Sequence, residues 1–127
     1  MIKTSTGLLE EVETYIRKFY TERVSKDYVY HDFNHTEVVV KSVDMISHGY
    51  HLTDKELEIL KLAAWFLDTG YDKGSENHEE RSCAHARAFL MKHDYPEREI
   101  RIVFDCIHST RMKAQPTTLL GEIISDS

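Results

Sequence analysis

The stretch Ala63-Ala-Trp-Phe-Leu-Asp-Thr-Gly-Tyr71 decides how this chain folds. Its apolar first half follows Leu57 and Leu60 at helical spacing, which predicts the end of a buried helix. Gly70 indicates that the helix stops close by. Asp68 then lies where helix carbonyls carry partial negative charge, which disfavours a carboxylate by about 0.3 to 1 kcal/mol. Three partners remain open for this acid: a metal cation, an arginine, or N–H groups of the following turn.

Apolar residues recur at helical spacing along the whole chain, and no useful length alternates with period two. The spacing therefore predicts an all-α, single-domain bundle of five to six helices that spans residues 1–127. An apolar helix face reaches Ile124 at the end of the sequence, so 1–127 is either the whole domain or the N-terminal fragment of a longer chain. We expect a first helix at about residues 10–24 and further helices that begin at Asn34, Thr53, Asn77, Pro96 and Thr117. Three of these starts, Asn34, Thr53 and Asn77, have the capping-box pattern, and Pro96 takes the first helical position of its helix.

Composition and charge exclude several classes of protein. The 127 residues are 41% hydrophobic and 30% charged, which suits one domain with one core. No apolar run approaches the roughly 20 residues of a membrane span, and no secretory segment opens the chain. We therefore expect a cytoplasmic protein without membrane contact. A net charge of −6 opposes nucleic-acid binding. Cys83 and Cys106 stand apart in helical patterns and are interpreted as small buried apolar residues. The sequence leaves the oligomeric state open.

Four polar side chains are candidates for a shared site. His35 falls in the first turn of its helix, on the same inward face as Val39. Asp68 ends the central helix, His78 lies in a first turn, and Asp126 follows an apolar pair. Mixed histidine and carboxylate sets suit Mn²⁺, Fe²⁺, Co²⁺, Ni²⁺ or Zn²⁺, whereas oxygen-only sets suit Mg²⁺ or Ca²⁺. Spacing alone does not choose among these ions.

The order of the motifs resembles that of the HD-domain superfamily of metal-dependent phosphohydrolases. The resemblance covers residues 8–127 and implies a bundle of α-helices with a metal ion in a central cleft. The segments that carry it are Tyr30-His31-Asp-Phe-Asn-His35-Thr, Ala63–Tyr71, Asn77-His78-Glu79-Glu80, Ser109-Thr110, Thr118-Leu-Leu and Ile123-Ile-Ser-Asp126.

The resemblance implies a role for each matching position. His35, Asp68 and Asp126 would bind a divalent metal ion (Mn, Fe, Co, Ni, Zn or Mg). His78 and Glu79 would line the cleft and act with Asp68 in catalysis, as partners of the ligands or as ligands of a second metal. Such an ion polarises a phosphoryl oxygen and lowers the pKa of bound water. The implied substrate is a nucleotide or another small phosphate ester.

Several further side chains have two open interpretations. Lys73, Arg81, Arg111 and Lys113 either steady a phosphate or are solvated surface charges. His31 is next to the first motif and either faces the cleft or points away from it. The sequence favours no metal-binding role for the last group of histidines, which comprises His48, His51, His85, His93 and His108.

Leu67 departs from the family pattern because it stands where the paired motif has histidine. Leucine cannot coordinate a metal, and losing even a residue that orients a ligand typically costs about 10- to 100-fold in affinity or activity. Three explanations stay open: a naturally degenerate domain, an introduced substitution, or rescue by His78. The predicted function is therefore a weakened phosphohydrolase, with a non-catalytic nucleotide-binding or regulatory module as the alternative. Di-iron oxygenase chemistry is a third, more remote interpretation.

Overall fold

Five α-helices and one 3-10 turn make up the part of the chain that the computed structural model describes, residues 5–23, 33–72, 77–109 and 124. No strand occurs in these residues, which confirms the all-α prediction. None of the described helices is both long and apolar enough to cross a membrane. The elements are α1 (Ser5–Arg23), α2 (Phe33–Ser47), α3 (Asp54–Phe66), the 3-10 turn (Thr69–Tyr71), α4 (His78–Lys92) and α5 (Glu97–His108).

Helix α3 is the centre of the bundle. Leu60, Leu62 and Phe66 are completely buried on it, and so is most of the helix from Glu58 onwards. A helix that is apolar on nearly every side must be surrounded, and α3 packs against α1, α2, α4 and α5. The predicted sixth helix lies outside the described residues apart from Ile124, which is helical and buried. Asp68 follows the end of this central helix, where its side chain is mostly buried.

The three predicted capping boxes have different outcomes. The box at Thr53 is confirmed: its hydroxyl accepts from the Glu56 N–H at 3.1 Å, and the Glu56 carboxylate accepts from the Thr53 N–H at 2.9 Å. The box at Asn34 is wrong, because α2 begins one residue earlier, at Phe33. The box at Asn77 is also wrong. This residue has a φ of 55°, and its side chain makes no cap hydrogen bond, since an N-cap normally needs extended backbone.

The structure agrees closely with the predictions for Pro96 and for the two cysteines. Pro96 is the N-cap of α5 and not its first helical residue, one position away from the prediction. Cys83 and Cys106 are buried free thiols, as predicted. Burial raises the pKa of each thiol to about 12, and nearby carboxylates, led by Glu80 for Cys83, add to the effect. Both side chains therefore stay protonated and behave as apolar core residues.

Glu58 is a buried acid that ties α3 to the segment between α4 and α5. Its side chain is 4% exposed, and its Oε1 accepts from the Tyr95 hydroxyl at 2.7 Å and from Lys55 Nζ at 3.1 Å. The Lys55 ammonium also lies 4.7 Å from the centroid of the Tyr95 ring. A buried carboxylate of this kind depends on its donors, because water cannot replace them.

We expect Tyr95→Phe to lower the free energy of unfolding by about 1 to 3 kcal/mol, since it removes a hydrogen bond to a buried charge while keeping the ring. Urea unfolding followed by circular dichroism measures the change. Tyr50→Phe, on an exposed tyrosine, is the matched control and should change stability by less than about 0.5 kcal/mol. Equal effects of the two substitutions would contradict a stabilising role for the Glu58 contact.

Candidate functional site

Asp68 lies at the junction between α3 and the 3-10 turn. Helix α3 ends at Phe66, Leu67 is its C-cap with helical φ and ψ, and Asp68 has a φ of −103° and a ψ of 4°. The Asp68 carbonyl accepts from the Tyr71 N–H at 3.1 Å and so closes the turn. The Asp68 side chain is 13% exposed. The structure thus has an acid at the end of a buried helix, as predicted.

His35 is a side-chain partner of Asp68. Its Nε2 atom lies 3.4 Å from Asp68 Oδ2, although His35 is on α2, Asp68 follows the end of α3, and the two residues belong to different motifs. Two ligands at about 2.1 Å from one ion in tetrahedral geometry are separated by about 3.4 Å, so the pair fits the edge of a metal-coordination shell. The same distance suits an ordinary ion pair. The His35 side chain is 44% exposed, so it lies at the mouth of the site and not on a fully inward face.

Gly70 brings the start of α4 against the turn. A Cβ atom built on Gly70 would lie 1.7 Å from the His78 carbonyl oxygen and 2.6 Å from its carbon. The two backbones therefore touch, and only glycine permits the contact. The sequence attributes Gly70 to termination of the central helix, whereas the structure ends that helix at Phe66 and requires glycine for this close approach.

Tyr71, His78 and Glu79 extend the site beyond Asp68. The Tyr71 and His78 rings stack with centroids 4.2 Å apart, and His78 Nε2 lies 2.8 Å from Glu79 Oε2. Burial raises the pKa of Tyr71, and the negative charges of Asp68 and Glu79 raise it further. Tyr71 therefore keeps its proton at neutral pH and is close enough to both acids to feel their charge. The sequence assigns Tyr71 to a polar loop and gives it no place in the site. The signal that could have identified it is an aromatic residue one 3-10 turn after a buried acid.

The described residues supply two of the three predicted metal ligands. His35 and Asp68 are brought together, whereas Asp126 lies outside the described residues. Within residues 5–23, 33–72, 77–109 and 124, no group of three or more His, Cys, Asp or Glu side chains has a metal-binding arrangement. His78 is close to Glu79 and to the Tyr71 ring, on the α4 side of the site.

A second polar cluster borders the site and was not predicted. The Asp72 side chain is only 7% exposed, and its Oδ2 lies 3.0 Å from His85 Nε2. Arg81 Nε donates to the Gly70 carbonyl at 2.8 Å and lies 3.5 Å from Asp72 Oδ1. Burial lowers the pKa of His85, and the positive charges of Arg23 and Arg81 lower it further, against the opposing effect of Asp72. Arg81, a candidate for phosphate binding in the sequence, thus helps to fix the turn in the fold.

Other candidates from the sequence fall elsewhere. Lys73, Arg111, Lys113 and His31 lie outside the described residues. Three of the remaining histidines contact neighbours away from Asp68: His48 lies 3.9 Å from Asp44, His93 lies 3.1 Å from Glu11, and His108 lies 3.6 Å from the Cys83 sulfur.

Comparison with known proteins adds no relative. No family model matches the chain. Searches of the curated proteins and of the solved structures also return no match. The resemblance to HD domains therefore depends on the sequence motifs alone.

Proposed function

We propose that this chain is an HD-type, metal-dependent phosphohydrolase that acts on a nucleotide or another small phosphate ester. His35, Asp68 and Asp126 would hold the metal ion, with activity weakened by Leu67. The observation that carries the proposal is the 3.4 Å separation of His35 Nε2 and Asp68 Oδ2, since two separate motifs meet as an imidazole beside a carboxylate. That donor set suits the divalent ions Mn²⁺, Fe²⁺, Co²⁺, Ni²⁺ and Zn²⁺.

The chemistry divides between the ion and the side chains around it. When bound, a divalent ion polarises a phosphoryl oxygen and lowers the pKa of its water toward neutrality. Asp68 has a second carboxylate oxygen with which to orient that water and accept its proton. The hydrogen-bonded His78–Glu79 pair can hold a proton beside the site, and Tyr71 can donate a hydrogen bond because it remains neutral. These groups would act on the phosphate ester from the α4 side.

A non-catalytic nucleotide-binding or regulatory module is the second candidate function. Leu67 favours it: the side chain packs against the apolar core, and its backbone is helical, so leucine occupies this position without strain. Such a domain would bind a phosphate-containing ligand and not turn it over. Stabilisation by a nucleotide in the absence of any divalent ion would favour this module over the enzyme.

We expect Mn²⁺ to stabilise the chelator-treated protein and Asp68→Ala to abolish that effect. An ion at about 100 times its dissociation constant stabilises by roughly 2.7 kcal/mol, which raises the melting temperature by roughly 5 to 10 °C. A melting curve with and without Mn²⁺ measures this shift. The matched control is Asp105→Ala, which removes an exposed acid on α5 and should keep the full shift.

Two results would contradict the proposal. One is the absence of stabilisation by any of Mn²⁺, Fe²⁺, Co²⁺, Ni²⁺, Zn²⁺ and Mg²⁺. The other is an Asp68→Ala protein that retains the full metal-dependent shift or full metal-dependent hydrolysis. Where the shift is present and depends on Asp68, a screen of nucleotides and small phosphate esters identifies the substrate class.

A further inference from the structure

Ser82 ties the end of α3 to the body of α4. Its side chain is completely buried, and its hydroxyl makes two hydrogen bonds. The hydroxyl donates to the Leu67 carbonyl oxygen at 2.9 Å and accepts from the Gly70 N–H at 2.9 Å. A serine hydroxyl has one donor and two acceptor sites, so one side chain can satisfy both backbone groups.

The two tied groups flank Asp68 on both sides. Leu67 comes directly before it, and Gly70 is the second residue after it, so the hydroxyl holds the segment that carries the carboxylate. Ser82 also lies one helical turn after His78 on α4, on the same face of the helix. A single side chain thus connects the backbone on both sides of Asp68 to the helix that carries His78 and Glu79.

We infer that Ser82 is a positioning residue for the candidate metal centre: its buried hydroxyl holds Asp68 in register with the first turn of α4. The inference rests on the proposed function for its effect on metal binding. A purely structural role is the alternative, in which the hydroxyl only satisfies two buried backbone groups. The two roles predict different results at His35. His35 is on α2 and Ser82 is on α4, so loss of the Ser82 hydroxyl should reach His35 through a movement of Asp68.

The test compares Ser82→Ala with Ser47→Ala. Ser47 is also buried, and its hydroxyl donates to the Asp44 carbonyl at 2.7 Å at the far end of α2, so the control removes a buried serine hydroxyl away from the site. The first readout is the ¹H–¹³C resonance of the His35 ring in the metal-free protein. The second is the dissociation constant for Mn²⁺, from the electron paramagnetic resonance signal of the free ion.

We expect Ser82→Ala to shift the His35 ring resonance and to weaken Mn²⁺ binding by about 10-fold or more, as for other groups that orient metal ligands. Ser47→Ala should leave the resonance in place and the dissociation constant within about 2-fold of the parent chain. A folded Ser82→Ala protein whose His35 resonance does not move would overturn the inference, whatever its melting temperature.

Two further outcomes are distinguishable. If the parent chain binds no Mn²⁺, the proposed function fails, and the His35 resonance of the metal-free protein still decides whether Ser82 positions Asp68. If Ser82→Ala does not fold, Ser82→Cys takes its place, because the thiol keeps the volume but is a weak donor and acceptor. A shift of the His35 resonance in that variant supports the inference, and an unmoved resonance overturns it.

Discussion

Gly70→Ala is expected to lower the free energy of unfolding by about 3 kcal/mol or more, which is the largest single effect in the site. The added Cβ would lie 1.7 Å from the His78 carbonyl oxygen, 2.6 Å from its carbon and 2.9 Å from its Cα. All three are backbone atoms, so no side-chain rotation relieves the contact and the start of α4 must move. The same movement separates Asp68 from His78 and Glu79.

Gly49→Ala is the control for this substitution. A Cβ there meets only the Ile46 carbonyl oxygen at 3.5 Å, which is ordinary van der Waals contact. We expect that change to alter the free energy of unfolding by less than about 1 kcal/mol. Urea unfolding of the two variants gives the comparison. If the two alanines have equal effects, the close approach of the turn and α4 is not a constraint on this fold.

Leu67→His is expected to tighten Mn²⁺ binding by about 100-fold, because a direct ligand should contribute at least as much as the residues that orient ligands, which typically contribute about 10- to 100-fold. The substitution restores the histidine that the resemblance to HD domains implies next to Asp68. An imidazole there would join His35 and Asp68 as a nitrogen ligand, and three ligands bind far more tightly than two. Isothermal titration of the chelator-treated variant with Mn²⁺ measures the change, and assays of phosphate-ester hydrolysis show whether turnover rises with it.

Leu67→Gln separates the imidazole from the loss of apolar packing. Leu67 packs partly against the core, so either polar residue should cost some stability. Only histidine should tighten metal binding. Should both variants bind Mn²⁺ no better than the parent chain, position 67 would not face the metal, and the paired-motif interpretation of this stretch would be wrong.

The sequence predicts the helices well because their signals are local. Apolar spacing marks the buried face of each helix, and the Thr53 box forms because its two hydrogen bonds lie within one turn. Asn77 has the same pattern three residues before Glu80, yet it fails as a cap. Its φ of 55° is not the extended backbone that a capping side chain needs, and residue types alone do not encode that angle. The start of α2 likewise differs from its prediction by one residue.

The residues of the candidate site also differ in whether a local sequence signal predicts them. His35 and Asp68 are predicted by the motif pattern, and the structure brings them together. Tyr71, Ser82 and the Asp72–His85 pair are missed because they depend on the contact between the turn and α4. The polar loop assignment for residues 71–76 comes from composition, which does not report that Gly70 lets two backbones touch. In the sequence, the only sign of this close contact between the turn and α4 is Gly70. A glycine at that position is explained equally well by the end of a helix.

The two buried thiols make the chain a reporter of its own opening. Cys83 and Cys106 are shielded by the helices and protonated, so alkylating reagents meet almost no thiolate in the closed protein. Reaction must wait until the helices part, and its rate then follows the population of the opened state when reclosing is fast. A trace of alkylation over time is therefore a stability measurement that needs no denaturant and no engineered label.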